Sequence, residues 1–208
     1  MQWLRNIWLR SKSQERIFND FYRRKLWGSH ETRSGVGSTL EMTVEIRKEL
    51  PILLEKYGIK TLLDAPCGDF FWMKETFLPI EKYIGGDIVA EMIAENNRLH
   101  AQENREFLCL HLLKSELPAA DMLLCRDCLV HFSFEDIFSA LNNIQKSPIT
   151  YLLMTHFPNI VENTDILTGR WRALNFEKAP FYFPPPIALI VEQMAEGKTL
   201  ALWKMDRS

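Results

Sequence analysis

The chain has 208 residues, 47% apolar and 12% aromatic, which suits one domain with an appendage and excludes bulk disorder. A formal net charge of -2 excludes the strong basic excess of a general nucleic-acid binder. That average hides an asymmetry: residues 1–27 carry seven basic side chains and two acidic ones, so the remainder carries -7.

The first residues, from Met1 to Arg10, are amphipathic, but Arg5 interrupts any signal-peptide core. Packing on the protein's own body is the expectation for this basic head. Insertion of Trp3, Ile7 and Trp8 at a membrane surface is the alternative. No apolar run approaches the ~18 residues needed to span a bilayer. Ile17, Phe18, Phe21, Tyr22 and Leu26 have helical spacing, and Trp27-Gly28 ends that helix. Residues 28–38 have loop composition and suit a lid anchored on Trp27. Ser38-Thr39-Leu40-Glu41 reads as a capping box, predicting a helix from about Thr39 to Gly58 that breaks or restarts at Pro51.

The period then changes. Strands are expected at 61–63, 83–87, 106–110, 121–125 and 151–155, with helices at 92–103 and 133–146 between them. Such alternation means a parallel, doubly wound α/β sheet. Residues 159–186 hold no convincing helix. Two final strands, 187–191 and 199–203, joined through Gly197, suggest a terminal antiparallel hairpin. The expected division is a helical extension and lid over 1–38 and a Rossmann-like domain over 39–208.

Ligands of open parallel sheets bind beyond the carboxyl ends of the strands. The first strand ends in Asp64-Ala65-Pro66-Cys67-Gly68, a turn of small residues that lets a cofactor approach the backbone. The second strand ends at Asp87, whose carboxylate suits a ribose diol because it accepts two hydroxyl donors. The turn is not G-x-G-x-x-G, the arrangement that seats a pyrophosphate on a helix N-terminus. A cofactor without phosphates is therefore expected, and a nicotinamide oxidoreductase is disfavoured.

The segments D-A-P-C-G-D-F, Y-I-G-G-D-I-V and L-L-C-R-D-C-L-V-H-F resemble the class I S-adenosylmethionine-dependent methyltransferases over roughly residues 40–208. W-G-S-H-E-T-R-S-G-V-G-S upstream and W-R-A-L-N-F-E-K-A-P-F-Y-F-P-P-P downstream resemble a bacterial branch of that superfamily that brings no acceptor with it. The resemblance implies a seven-stranded, mostly parallel sheet and S-adenosylmethionine as methyl donor, with S-adenosylhomocysteine as product. It implies that Asp64, Ala65, Pro66, Cys67 and Gly68 form the first cofactor loop. Asp87 would bind the ribose, Ile88 would lie against the adenine, and His111-Leu112 would flank its edge. His111 departs from the acidic residue common in the family. Arg126 and Asp127 would lie near the cofactor's amino-acid end; the loop composition of residues 28–38, apart from the resemblance, is what suggests a lid over the cofactor with Trp27 as its anchor.

A hydroxyl or amine acceptor needs a base, and Asp127 and His131, four positions apart, are the candidates. Arg170, Trp171, Arg172 and Asn175 are candidates for gripping the acceptor, two arginines around a tryptophan suiting a carboxylate, phosphate or aromatic group. Cys125 and Cys128 form a C-x-x-C, but no recognised ligand spacing accompanies them, so buried structural thiols are expected and no metal. The reading is a methyltransferase of a small-molecule acceptor in the cytoplasm, with no nucleic-acid partner. Its alternatives are a non-catalytic nucleoside-binding module and a membrane-peripheral methyltransferase acting on a lipid or envelope glycan.

Overall fold

The computed structural model describes residues 2–192 and 197–206. Seven strands form one sheet: β1 (Thr61–Asp64), β2 (Lys82–Asp87), β3 (Arg105–Cys109), β4 (Met122–Cys125), β5 (Tyr151–His156), β6 (Ala188–Val191) and β7 (Thr199–Lys204). Their order is β3-β2-β1-β4-β5-β7-β6. The first five pair in parallel, and β7 runs antiparallel to both β5 and β6. The chain reverses its direction of travel across the sheet between β1 and β4, which places the switch point beside Asp64 and the residues after Cys125.

Unbroken apolar strands follow from burial on both faces. In β1, β4 and β5 alternate residues enter opposite cores: Leu63, Leu123 and Leu152 on one side, Leu62, Met122, Leu124 and Leu153 on the other. Helix α5 (Phe134–Lys146) covers the first side through Ile137, Ala140 and Ile144. The Ser133 hydroxyl caps it by accepting the Asp136 N–H at 3.2 Å. Helix α3 (Val44–Lys56) covers the second side, and α4 (Ala90–His100) follows β2.

Two expectations about α3 are corrected. The helix begins at Val44, not Thr39, because the Leu40 N–H goes to the Glu31 carboxylate at 3.1 Å and the Thr39 hydroxyl accepts the Met42 N–H at 3.3 Å. The Ser38–Glu41 capping box does not form. The helix also runs through Pro51 without a break. Ile46, Leu50, Leu53 and Leu54 flank that position and are all buried, so apolar burial of ~1.5–3 kcal/mol per side chain offsets the ~3 kcal/mol cost of an internal proline.

The N-terminal helices α1 (Gln2–Arg10) and α2 (Gln14–Arg23) pack into the main core through Leu9, Ile17, Phe18, Phe21 and Tyr22. Trp8 stacks on Phe21 at 6.2 Å, while Ile7 is exposed and the side chain of Trp3 lies outside the described residues. Gly169 lets this pair approach, since a Cβ there would stand 2.8 Å from both Ile17 and Leu9 side chains. The Arg23 guanidinium pairs with Glu91 of α4. Among the described residues no helix is long and apolar enough to cross a membrane.

Candidate functional site

A cavity of about 770 Å³ opens at the carboxyl ends of β1, β2, β4 and β5. The size falls within the usual range for small-molecule sites. Its floor is the turn after β1. Inside that turn the backbone donors are committed: Ala65 N–H to Leu124 O, Cys67 N–H to Gly86 O, Gly68 N–H to Asp87 Oδ2 and Asp69 N–H to Ser34 Oγ. Only a short 3-10 turn, Met73–Glu75, stands where a phosphate-binding helix would begin.

Asp87 joins two strand ends. One carboxylate oxygen accepts the Gly68 N–H at 3.2 Å and the other the Val89 N–H at 2.9 Å, and each keeps a lone pair. Burial pushes its pKa up to about 6. Asp64 is likewise buried and raised to about 7, although Tyr83 donates its hydroxyl to it at 2.7 Å. Ala65, Gly68 and Gly86 keep the floor flat; a Cβ on Gly86 would press on Leu110 at 3.2 Å. Ile88, Val89, Met92, Leu110 and Leu112 form an apolar wall beside Asp87. The set fits a nucleoside: a carboxylate for the ribose and a slot of apolar side chains for the base.

After β4 the chain enters a buried charge cluster. The Arg126 guanidinium bonds both oxygens of Glu192, at 3.2 and 2.6 Å, and the Gly37 carbonyl at 2.8 Å. It lies 5.5 Å over the Trp72 ring. The Lys198 ammonium reaches Asp127 at 2.6 Å and Glu192 at 3.2 Å, and Arg126 meets Asp127 at 3.2 Å. Two cations and two anions thus neutralise one another, as buried charges must. Asp127 has a positive φ of 52°, a conformation an aspartate tolerates, and its N–H bonds the Thr155 hydroxyl at 2.8 Å. Burial raises its pKa, but Arg126 and Lys198 outweigh that and hold it at about 2. His131 stands nearby on the cavity wall. Its Nδ1 faces the Arg170 carbonyl at 2.9 Å, so Nδ1 carries the proton and Nε2 the lone pair. Burial lowers its pKa and keeps the ring neutral.

Residues 28–38 lie across this site. Asp69 accepts the Thr32 hydroxyl at 2.9 and 2.7 Å, the Arg33 N–H at 2.6 Å and the Ser34 hydroxyl at 2.9 Å. Gly35 sits against Trp27, Gly37 against the Asp127 carboxylate, and Trp27 packs edge-on to Phe21 at 5.9 Å.

Of the residues singled out in the sequence, Trp27, Asp64, Ala65, Pro66, Cys67, Gly68, Asp87, Ile88, Leu112, Arg126, Asp127, His131 and Trp171 all line the cavity. Four do not. His111 turns into its own loop, where its ring accepts the Leu113 N–H at 3.4 Å. Arg170 bonds Asn6 of α1. Arg172 donates to the Leu129, Phe132 and Thr164 carbonyls, and Asn175 to those of Pro158 and Ile160. Backbone carbonyls thus occupy the donors of Arg172 and Asn175, which brace loops instead of gripping an acceptor. Burial lowers Arg172 to about 10. Cys125 and Cys128 are buried free thiols.

Among the wall residues that sequence reasoning missed are Gln14, Phe18, Met42, Trp72, Phe157 and Lys198, with Glu192 behind them. A solitary lysine between Gly197 and Thr199 carries no local signal. Its role follows only from pairing across the fold.

No family model matches the sequence, and no curated protein matches it. Solved structures do resemble it. The N-methyltransferase NodS from Bradyrhizobium japonicum WM9, in complex with S-adenosylhomocysteine, aligns with a TM-score of 0.63 over 90% of this chain and 98% of its own, at 12% identity. Magnesium protoporphyrin IX methyltransferase from Synechocystis PCC 6803 with bound S-adenosylhomocysteine aligns at 0.61 over 93% and 100%, with 11% identity. The methyltransferase domain of a bacterial Hen1 aligns at 0.58 over 78% and 99%, with 12% identity. At such identities the likeness speaks for the path of the chain in space.

Proposed function

Because the chain folds as a class I methyltransferase, we propose that it uses S-adenosylmethionine to methylate a small-molecule acceptor. One observation carries this reading. At the switch point the first turn spends its N–H groups on Gly86, Asp87 and Ser34, leaving no nest for a pyrophosphate, while Asp87 keeps lone pairs for a ribose. Asp64 to Gly68 would support the methionine and ribose portions, Ile88 and Leu112 the adenine, and Arg126 with the Gly37 carbonyl would border the amino-acid end.

The cofactor supplies an electrophilic methyl group on a sulfonium sulfur. The protein's part is alignment and proton removal. Phe157 and half-exposed Trp171, edge to face at 6.1 Å, offer an apolar wall at the mouth for an acceptor. His131 is the general base: it is neutral, and its lone pair is on Nε2. Asp127, held anionic by two cations, is too weak a base for that task. It instead fixes Lys198 and the end of β4.

Calorimetry with S-adenosylmethionine, S-adenosylhomocysteine and NAD tests the reading. Binding of the two sulfur nucleosides without NAD is expected. Preference for NAD, or failure of both sulfur nucleosides to bind, would overturn it.

A further inference from the structure

We infer that the acceptor is an aromatic ring bearing a neutral hydroxyl group, held in the corner between Trp171 and Phe157 with its hydroxyl on His131. The inference rests on the proposed methyl transfer and goes on to name the class of compound that receives the group.

The ring corner and the base are built as one unit. Residues 169–172 lie against the turn that carries His131: the Gly169 N–H donates to the His131 carbonyl at 2.8 Å and the Arg172 N–H to the Val130 carbonyl at 3.0 Å. Between them, His131 Nδ1 meets the Arg170 carbonyl at 2.9 Å, which leaves Nε2 on the opposite side of the ring. Phe157 is tied to the same segment, its N–H donating to the Leu174 carbonyl at 2.8 Å. Trp171 and Phe157 both line the cavity, their rings at 85° with 6.1 Å between centres. Trp171 is 50% exposed although indoles are mostly buried, so its ring has surface to offer a ligand. Two rings at a right angle leave a place where a third stacks on one and meets the other edge-on.

Charge and acidity narrow the functional group. Among the described residues near His131, Asp127 and Glu192 are paired with Arg126 and Lys198, and Arg172 is spent on backbone carbonyls. An ammonium would therefore displace one of these cations, and a carboxylate or phosphate one of these anions. A neutral hydroxyl displaces nothing and gives its proton to the His131 lone pair. The transfer balances: the acceptor oxygen bonds the methyl carbon, the carbon–sulfur bond returns its electron pair to sulfur, and the hydroxyl proton ends on Nε2. A phenolic hydroxyl with a pKa of ~10 lies within about four units of an imidazole at ~6.5. An aliphatic hydroxyl, close to water at ~15.7, lies about nine units away, beyond useful reach of such a base. An aryl amine attacks through a lone pair it already has, and leaves the base without a task.

The test is calorimetry of the full chain saturated with S-adenosylhomocysteine, using 2-naphthol and its saturated counterpart decahydro-2-naphthol as probes. The native protein should bind 2-naphthol more tightly by about fivefold or more. Trp171→Leu should cut that preference to less than about twofold while binding S-adenosylhomocysteine as before, and Trp171→Phe, which keeps a ring, should recover it. With labelled S-adenosylmethionine, kcat/KM for 2-naphthol should exceed that for 2-naphthylamine, 2-naphthoic acid and the saturated alcohol by about a hundredfold or more. Equal binding of the two alcohols, an unchanged preference in Trp171→Leu, or better transfer to the amine or the acid would each overturn the assignment. If Trp171→Leu does not fold, the four probes on the native protein still decide. No transfer to 2-naphthol by a protein that binds S-adenosylhomocysteine would sink the acceptor class and leave the cofactor reading intact. Failure of the native protein to bind S-adenosylhomocysteine would sink both.

Discussion

Asp87 accepts two backbone N–H donors and has a pKa pushed up to about 6, so its charge changes inside the ordinary working range of pH. Ribose hydroxyls need the ionised form. Affinity for S-adenosylhomocysteine should therefore rise as pH climbs from 5 to 7, where the raised group loses its proton. In Asp87→Asn, titration calorimetry should show that rise flattened and affinity about tenfold weaker at pH 8. A native affinity independent of pH across that window would contradict the assignment. His131 works by the opposite protonation logic. Burial lowers its pKa, so the proposed base would be ready above its ordinary value near 6.5 and lost only in more acidic solution. His131→Gln should reduce kcat by about a hundredfold or more and remove the acid limb of the pH profile, with cofactor affinity held within about twofold. Equal losses in kcat and in cofactor binding would make it a packing residue instead.

At the scale of elements, one carboxylate latches residues 32–34 of the loop over 28–38, while Arg126 holds the loop's far end at the Gly37 carbonyl. Asp69 receives two hydroxyls and a backbone N–H from it, so Asp69→Ala removes every one of those contacts at once. The expected outcome is faster hydrogen exchange or proteolysis confined to residues 28–38 and faster cofactor release, with the sheet's protection unchanged. Loss of protection in β1 and β2 as well would show that the latch holds the core. Pro51→Ala restores a backbone donor within α3, and should raise the free energy of unfolding by about 1–2 kcal/mol after the flexibility gained by the unfolded chain is allowed for. These two elements also mark where sequence reading succeeds and fails. Strand ends such as Asp64 and Asp87 are legible because turn residues interrupt apolar runs at fixed places. The start of α3 is not, because the Ser38 N–H that Glu41 would have bonded in a capping box goes to the Gly35 carbonyl, and Glu31 takes the N–H of Leu40 nine positions on. Lys198 and Glu192 escape for the same reason, their partners lying 71 and 66 residues away. Arg172 and Asn175 mislead in the other direction: polar residues around a tryptophan look like a binding motif, yet loop carbonyls consume their donors.

Across the whole molecule, the basic N-terminal segment is built into the body. Leu9, Ile17, Phe18, Phe21 and Tyr22 are buried in the same core as the sheet, at ~1.5–3 kcal/mol for each large side chain. Deleting residues 1–26 should therefore leave a protein that aggregates or loses its cooperative melt, since most domains are stable by only ~5–15 kcal/mol. A truncated protein that melts as the full chain does would show the helices to be a detachable arm. The charge cluster has a consequence for how the chain comes to be folded. Arg126 bonds Gly37, 89 positions before it, and Glu192, 66 positions after it. While the polypeptide is still being synthesised, residues 37 and 126 are available long before 192 and 198. Until those later residues emerge, a guanidinium and the neighbouring carboxylate have no lysine and no glutamate to complete their neutrality, and water must remain around them. Closing of the site is thus tied to docking of the final hairpin, a late and long-range event on the ribosome, and a nascent chain that ends before it holds its cavity open.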